Sequence, residues 1–487
     1  MSRAILLISV LLWCGLCTAI TLAKQQPPNR EPNRPDYDKV IEPDKLKEDL
    51  DFLFKTIEEV HPNMYAYTSK EEFEPIRDEL YAKISGPSTR AEFYRLVAPA
   101  LASLKSFHTL VLPFVDEYEE YAKNGGSLFP LELRMDNSKA VLAKNYSKVS
   151  LPMGGAVLAI NERQASELFA RFASWIPAEN KNTNPWLIEH PVFLRCLLLL
   201  EFGPVRSWRL RIQAPDKSIG NYTVAALALA DFTTEEGAAT IERKEYYRPI
   251  PESNTAVIKF FKWREPEKFK IFLNRVFKDI HERKVPNLVI DLRENTGGTD
   301  ECVHLLMEYL AAKPYKKYDR VDMSICPQTR ERIASLRGEF PDKFTNVKDG
   351  DIVSIELPVQ PPTDNLFIFT GRTFLLTSAR SFSASTVFAS IVKCAKMATL
   401  IGQETGDPTT LYADSIEFEL PHSALQAWVP SKLLVCACGK PDGRGVIPDY
   451  EVKQTPEDTA KGIDTVLQFT LDLIKRSSNK ANSTPDK

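Results

Sequence analysis

The sequence predicts an α/β protein, α+β overall, with a helical N-terminal domain, a small mixed module and a larger C-terminal domain. Three observations lead to this prediction. The 487 residues correspond to about three domains of ordinary size. Apolar residues recur at helical spacing near the beginning of the chain, and short strands follow them. From residue 256 onward, buried apolar strands alternate with helices, which is typical of an α/β layer architecture.

The changes of pattern also set the expected boundaries. We expect a signal peptide at 1–23, a linker at 24–43, a helical domain at 44–113, a mixed strand and helix module at 114–235, the alternating domain at 240–475 and a disordered tail at 476–487.

Residues 1–23 have the layout of a secretory signal peptide. A positive charge at Arg3 precedes an apolar run over residues 4–13, and small residues follow it. The alternatives are an uncleaved anchor, because the run approaches the ~20 residues that span a bilayer, and lipidation at Cys17. We therefore expect an exported protein in the periplasm, the cell envelope or the extracellular space. Contact with a membrane is expected only through an uncleaved or lipidated N-terminus.

The helical domain follows from two amphipathic patterns and a third helix expected over residues 91–104. In the first two patterns the apolar residues lie three and four positions apart, as one face of a helix requires. They are Leu46, Leu50, Leu53, Phe54, Ile57 and Val60, then Phe73, Ile76, Leu80 and Ile84. The domain ends at the Ser-Phe-His-Thr segment of residues 106–109.

The next two regions contain most of the predicted strands. In the mixed module we expect strands at 131–133, 141–143 and 156–161, and a helix over 165–175. In the alternating domain we expect strands at 256–260, 288–290, 366–369, 374–376 and 399–401, and helices over 267–283, after Asp300 and after Ser383.

Charge and cysteine content exclude several classes of protein. Lys and Arg number 62 against 65 for Asp and Glu, so no basic excess is available for a phosphate backbone, and we expect no nucleic-acid partner. Six of the eight cysteines lie beyond the signal segment, too few for a disulfide scaffold. Cys436 and Cys438 are one residue apart in an apolar run, which predicts packed thiols on one face of a strand.

Two turns of the alternating domain have the same form, in which a buried strand passes through small and polar residues into a helix. Such a turn aims backbone N–H groups at one point, which suits an oxyanion. In the first turn, Gly297 and Gly298 allow a close approach of the backbone, although an ordinary loop would also use them. In the second, Ser383 stands where a helix begins, a position that a capping serine would also take.

Together the two turns resemble the tail-specific or C-terminal-processing serine protease family. Residues 291–298 resemble its D-L-R-x-N-x-G-G turn, and residues 383–386 its S-A-S-E segment, whose first serine is the nucleophile. Residues 401–405 and 442–449 resemble its G-x-x-T and E-x-x-G-V-x-P-D stretches. The resemblance covers about 256–452. It implies that the domain at 240–475 is a crotonase-like ββα catalytic domain of a serine endopeptidase, with a polypeptide as its substrate.

Departures from the family pattern indicate which branch applies. The processing branch uses a Ser-Lys dyad, but no lysine lies between Lys396 and Lys432. The tricorn-like branch brings a histidine from an early L-x-D-x-H-T-like segment and an acid from E-x-x-G-V, positions that correspond here to His108 and Asp442. Ser106 replaces the acid two residues before the histidine, and Asp442 is one methylene shorter than glutamate.

The resemblance therefore implies a triad of Ser383, His108 and Asp442. His108 would accept the proton of Ser383 Oγ, and Asp442 would fix the imidazole tautomer. The N–H of Ala384 and the N–H of Gly297 or Gly298 would form the oxyanion hole. We expect no metal and no other cofactor.

Two alternatives stay open on the sequence alone. Residues 154–162 resemble only the core strand and I-N-G turn of a PDZ domain, so the middle module is either a degenerate PDZ-like insertion or an unrelated strand module. The whole chain is either an active peptidase or a catalytically silent protein that binds peptides or apolar ligands on the same fold.

Overall fold

The computed structural model describes residues 38–136, 139–179, 187–232, 245–337, 346–454, 458 and 462–482. The described residues before 243 and those of 415–431 form an N-terminal unit. Those of 243–414 and from 432 onward form a C-terminal unit. Both units combine helices with sheets, which confirms the α/β, α+β overall, fold class.

The N-terminal unit begins with the predicted helices. The apolar positions of the first helix are buried from Leu46 to Val60, and the second and third helices begin with capping boxes at Ser69 and Thr89. The helices of this unit are α1 (Pro43–Val60), α2 (Lys70–Lys83), α3 (Arg90–Ala102), α4 (Val115–Lys123), α5 (Ala165–Ser174) and α6 (Pro191–Phe202).

Apart from β3, the strands of this unit form a two-stranded ladder and a larger antiparallel sheet. They are β1 (Val40–Ile41), β2 (Ser88–Thr89), β3 (Leu110–Val111), β4 (Leu131–Asp136), β5 (Lys139–Asn145), β6 (Ala156–Ile160), β7 (Arg163–Gln164), β8 (Ser207–Gln213) and β9 (Ile219–Ala225). β1 pairs with β2, and the larger sheet has the order β4-β5-β6-β8-β9 with β7 on β6. The PDZ-like interpretation of this module stays a prediction.

The C-terminal unit is built on a six-stranded sheet in the order β10-β11-β12-β15-β16-β19. Its strands are β10 (Tyr246–Ile250), β11 (Thr255–Lys259), β12 (Asn287–Asp291), β15 (Arg372–Thr377), β16 (Thr399–Gly402) and β19 (Tyr450–Glu451). Only the β10 pairing is antiparallel. Because β12 and β15 are parallel neighbours, the turns that follow them leave the same edge of the sheet.

Helices cover both faces of this sheet, which is why its strands are apolar at nearly every position. Ala256 and Ile258 of β11 pack with the helices α7 (Pro266–Glu282), α8 (Asp300–Met307) and α10 (Ala384–Cys394). Val257 points to the opposite face and packs with α11 (Thr465–Asn482).

A second sheet has the order β14-β13-β18-β17, from strands β13 (Tyr318–Ser324), β14 (Ile352–Glu356), β17 (Thr410–Glu419) and β18 (Gln426–Cys436). The helix α9 (Pro327–Arg337) lies between β13 and β14 in the chain. In the N-terminal unit, β3 pairs with residues 427 and 428 of β18.

Some sequence predictions were wrong at the level of elements. Residues 366–369 form a turn instead of a strand, because the Asn365 side chain accepts the Phe367 N–H at 2.9 Å and bends the chain there. The expected linker contains β1 before residue 43, and the expected tail is helical as far as Asn482.

The signal segment 1–23 and residues 483–487 lie outside the described residues. Within the described ranges, every helix is too short or too polar to cross a bilayer.

Candidate active site

Hydrogen bonds join the two turns at the carboxyl edge of the C-terminal sheet. Leu292 N–H donates to the Leu376 carbonyl at 3.0 Å, and Phe382 N–H donates to the Asn295 carbonyl at 3.1 Å. The Ser381 hydroxyl donates to the Leu292 carbonyl at 2.8 Å. The fold therefore brings the Gly-Gly turn and the Ser-Ala-Ser turn together.

An ion-pair network fixes the beginning of the first turn. The Arg293 guanidinium donates to Asp291 at 2.7 and 2.9 Å and makes two 2.7 Å hydrogen bonds to Asp464. Burial alone would lower the pKa of Arg293, but the hydrogen bonds to the two carboxylates outweigh burial and raise that pKa. The Asp and Arg of the D-L-R motif thus position the strand end.

Asn295 shapes the glycine turn from a fully buried position. Its amide donates to the Phe260 carbonyl at 3.1 Å, and its carbonyl oxygen accepts the Gly297 N–H at 2.9 Å. The Gly297 N–H is therefore already engaged. No acceptor for the Gly298 N–H occurs in the described part of the chain.

Both glycines are required by close contacts as well as by backbone conformation. Their φ angles are +98° and +143°. A Cβ on Gly297 would lie 2.7 Å from Ser383 Cβ, and a Cβ on Gly298 would lie 2.0 Å from the Trp263 carbonyl oxygen. The glycine turn thus passes directly beside Ser383.

Ser383 has a strained backbone and immediately precedes α10. Its φ and ψ are 52° and −118°, which non-glycine residues rarely adopt. The side chain makes no capping hydrogen bond, so the capping interpretation was wrong. Ser383 Oγ is half-buried and makes no hydrogen bond within the described ranges. Its N–H donates to the buried carboxylate of Asp407 at 2.6 Å.

The N–H of Ala384 lies in the first turn of α10, where helix geometry supplies no acceptor. None of the described residues accepts it either. Of the donors considered for the oxyanion hole, the Ala384 and Gly298 N–H groups are therefore the ones that remain available.

The acid position lies in an exposed turn of the same unit. Asp442 Oδ1 accepts the Arg444 N–H at 2.9 Å. The Arg444 guanidinium makes two hydrogen bonds to Glu404, at 2.9 and 2.7 Å, and Glu404 also accepts the Gly445 N–H at 2.8 Å. The hydrogen bond to Arg444 is the main cause that lowers the pKa of Glu404. Glu404 therefore anchors the segment that follows Asp442.

His108 belongs to the N-terminal unit, in the turn between α3 and β3. His61 Nδ1 accepts the Asn63 N–H at 3.0 Å, so Nε2 carries the proton of the neutral ring and donates to Ser106 Oγ at 3.2 Å. Burial lowers the pKa of His61 to about 3, which keeps this ring neutral. Ser106 also accepts the Thr109 hydroxyl at 3.1 Å. Ser106 stands in place of the family's acid. Its hydroxyl links His61 to Thr109, the residue that follows His108.

A half-buried glutamate contacts the same turn. Glu179 Oε1 accepts the Phe107 N–H at 3.2 Å, and Oε2 is buried without a hydrogen-bond partner in the described chain. Burial raises the pKa of Glu179 to about 8, against the lowering effect of the Phe107 hydrogen bond. Sequence analysis missed Glu179 because no motif marks it.

Three further features were missed or misread. Trp263 Nε1 donates to Ser385 Oγ at 2.8 Å, and the Trp263 backbone bonds to Gly297 and Thr299 on either side of Gly298. Asp407 lies where the processing branch has its lysine stretch.

Cys438 is not a packed thiol, because β18 ends at Cys436 and Cys438 forms a disulfide with Cys394 at the end of α10.

The comparisons with known proteins concern the family and the fold. Residues 254–452 match the model of peptidase family S41, which confirms the family recognised from the sequence. No curated protein matches the chain.

Among solved structures, mature CPAF is 13% identical over 85% of this chain and 94% of that chain, with a TM-score of 0.57. Mature CPAF complexed with lactacystin is 13% identical over 90% and 99%, with a TM-score of 0.58. A photosystem II D1 C-terminal processing protease is 12% identical over 84% and 93%, with a TM-score of 0.46. The likeness to CPAF shows that the two proteins share a fold. Placing His108 and Asp442 in one triad with Ser383 stays a prediction.

Proposed function

We propose that this chain, whose residues 254–452 are a domain of peptidase family S41, is an exported serine endopeptidase that forms an acyl-enzyme on Ser383. The family is one of serine-type peptidases, and its substrates are polypeptides. The observation that carries the choice of nucleophile is the backbone of Ser383. This residue holds a strained positive φ directly before a helix and beside the glycine turn.

The reaction follows from the side chains that the sequence assigns. Ser383 Oγ attacks the scissile carbonyl carbon as His108 takes the hydroxyl proton. His108 then gives that proton to the leaving amine, and water hydrolyses the acyl-enzyme by the same route. Asp442 orients the imidazole and stabilises its protonated form. These assignments rest on the resemblance of residues 104–109 and 442–446 to the tricorn-like branch.

Two backbone N–H groups are the proposed oxyanion hole. Ala384 and Gly298 both have an N–H without an acceptor among the residues described, whereas Asn295 already occupies that of Gly297. A donor of this kind contributes roughly 3 kcal/mol to transition-state stabilisation in other serine proteases. The partial positive charge at the N-terminus of α10 adds to the same effect.

Export is supported by two independent features. Residues 1–23 have the composition of a signal peptide. The Cys394–Cys438 disulfide belongs to the chemistry of oxidising compartments, since cytosolic thiols are normally kept reduced. The proposed location is therefore the periplasm, the cell envelope or the extracellular space.

The decisive experiment treats the purified chain that lacks residues 1–23 with casein and, separately, with a fluorophosphonate probe. We expect casein cleavage and covalent labelling in the wild type and neither in Ser383→Ala. Ser390→Ala is the matched control, because this serine lies on the same helix and its hydroxyl donates to the Ala437 carbonyl, away from the turn. A folded wild type that neither cleaves nor labels would contradict the proposal and favour the silent binding protein.

A further inference from the structure

We propose that Asp407 is a positioning residue that holds the backbone of Ser383 in its strained conformation and thereby aims both Ser383 Oγ and the Ala384 N–H. The inference rests on the proposed function for its catalytic consequence. Its structural part, the control of the Ser383 backbone by Asp407, can be tested without any activity.

The need for such a residue follows from the conformation of Ser383. A φ of 52° with a ψ of −118° is unfavourable for a residue with a Cβ. Such conformations persist only where surrounding contacts over-determine them. Ser383 cannot rely on a capping hydrogen bond, since its side chain makes none.

Asp407 supplies the required contact. Its Oδ2 accepts the Ser383 N–H at 2.6 Å, and the residue is 1% exposed. A hydrogen bond to a buried carboxylate is shorter and stronger than one between neutral groups. It also removes the Ser383 N–H from the donors that face the substrate, so that the oxyanion hole falls to Ala384 and Gly298.

Asp407 is itself held on two sides. On one side, Gly406 N–H donates to the Ser381 carbonyl at 3.0 Å, and a Cβ on Gly406 would lie 2.2 Å from the Ala379 carbonyl oxygen. On the other side, Thr409 N–H donates to the Arg444 carbonyl at 2.9 Å. The backbone that carries Asp407 is thus fixed between the nucleophile turn and the segment that follows Asp442, and from there its carboxylate can impose a conformation on Ser383.

A buried aspartate that serves only the fold would behave differently from a positioning residue. Its loss would lower the stability and the folded fraction but leave kcat of the folded enzyme unchanged. Asp49 is the matched control: it is fully buried and accepts the N–H groups of His422 and Ser423 at 2.9 and 2.8 Å, all within the N-terminal unit.

The kinetic experiment compares Asp407→Asn, Asp407→Ala and Asp49→Asn with the wild type on a fluorogenic peptide. Rates are normalised to the folded fraction from circular dichroism. We expect kcat to fall on the order of 100-fold in Asp407→Ala, as for a displaced oxyanion donor. The fall should be smaller in Asp407→Asn, whose amide oxygen can still accept the N–H. KM should stay within about twofold, and Asp49→Asn should keep its kcat. An unchanged kcat in folded Asp407→Ala would overturn the inference.

A double-mutant cycle measured by thermal unfolding tests the inference without an activity assay. Ser383→Gly relieves the strain only while Asp407 enforces the conformation. The change in Tm caused by Ser383→Gly should therefore be more favourable, by about 2–4 °C per kcal/mol of strain, in the wild type than in Asp407→Ala. Glycine also makes the unfolded chain more flexible, but this lowers Tm equally in both backgrounds and therefore cancels in the comparison. An equal change in Tm on Ser383→Gly in both backgrounds would refute the inference. If the changes in Tm differ as expected but the wild type is inactive, only the proposed peptidase activity is refuted.

Discussion

Replacing Gly298 with alanine tests whether the glycine turn forms the oxyanion hole. The new Cβ would lie 2.0 Å from the Trp263 carbonyl oxygen and 2.7 Å from its carbon. A carbon and an oxygen that do not share a bond stay at least about 3 Å apart, so the turn and the Trp263 backbone must separate by about 1 Å. The same substitution places alanine at a φ of +143°, which costs on the order of 1–3 kcal/mol.

A displacement of 1 Å is enough to lose the geometry of the reaction. Misplacement of this size costs on the order of 100-fold in rate, because the Gly298 N–H no longer reaches the developing oxyanion. We expect Gly298→Ala to reduce kcat by 100-fold or more with a small change in KM, because the donor acts in the transition state. The assay is steady-state hydrolysis of a peptide together with the rate of fluorophosphonate labelling.

Gly350→Ala is the matched control for backbone strain. Gly350 has a φ of +92° and no atom within 4 Å of a built Cβ, so this variant carries the conformational cost without the clash. It should lose stability but keep kcat. If folded Gly298→Ala retained the kcat of the wild type, assigning the Gly298 N–H to the oxyanion hole would be wrong.

Three further predictions concern stability and positioning. The pKa of Glu179 is raised from 4.5 to about 8, so the native state keeps a proton that the unfolded chain loses, and stability should fall between pH 4.5 and 8. Glu179→Gln should flatten that fall in a profile of Tm against pH, and an unaltered profile would contradict this explanation. Trp263→Phe should cost about 1–2 kcal/mol by leaving the Ser385 hydroxyl unpaired and lower kcat more than it changes KM. Adding Ser385→Ala should recover stability in urea unfolding, and an additive loss would contradict the role of this hydrogen bond. Cys394→Ser with Cys438→Ser should destabilise the chain by about 4 kcal/mol, the chain entropy of a 44-residue separation. Tm with and without reductant checks this, and equal values would refute it.

The residues of the two turns were predictable from the sequence. Gly297, Gly298 and Ser383 each follow a buried strand. Because parallel neighbouring strands end at one edge of a sheet, their turns had to meet. The helix start at Ala384 followed from the apolar positions of α10. The strand ends and the helix start needed only the apolar pattern, whereas the meeting of the two turns was implied by the resemblance to the family.

The residues that fix the site were not predictable, because no local pattern links them to the two turns. Trp263 is 122 positions from the Ser385 hydroxyl that it donates to, and Asp407 is 24 positions from Ser383. A single buried tryptophan or aspartate has no local pattern that marks its partner. Cys394 and Cys438 were misread for a related reason, since spacing within a strand says nothing about a partner at the end of a helix.

The choice of oxyanion donors in this chain depends on side-chain acceptors as much as on the glycine motif. Four backbone N–H groups of the two turns could have served, but Asn295 accepts that of Gly297 and Asp407 accepts that of Ser383. A buried N–H that already has a short hydrogen bond gains little by exchanging it for an oxyanion. The motif therefore provides the close approach of the backbone, and the two buried acceptors leave Gly298 and Ala384 as the proposed donors.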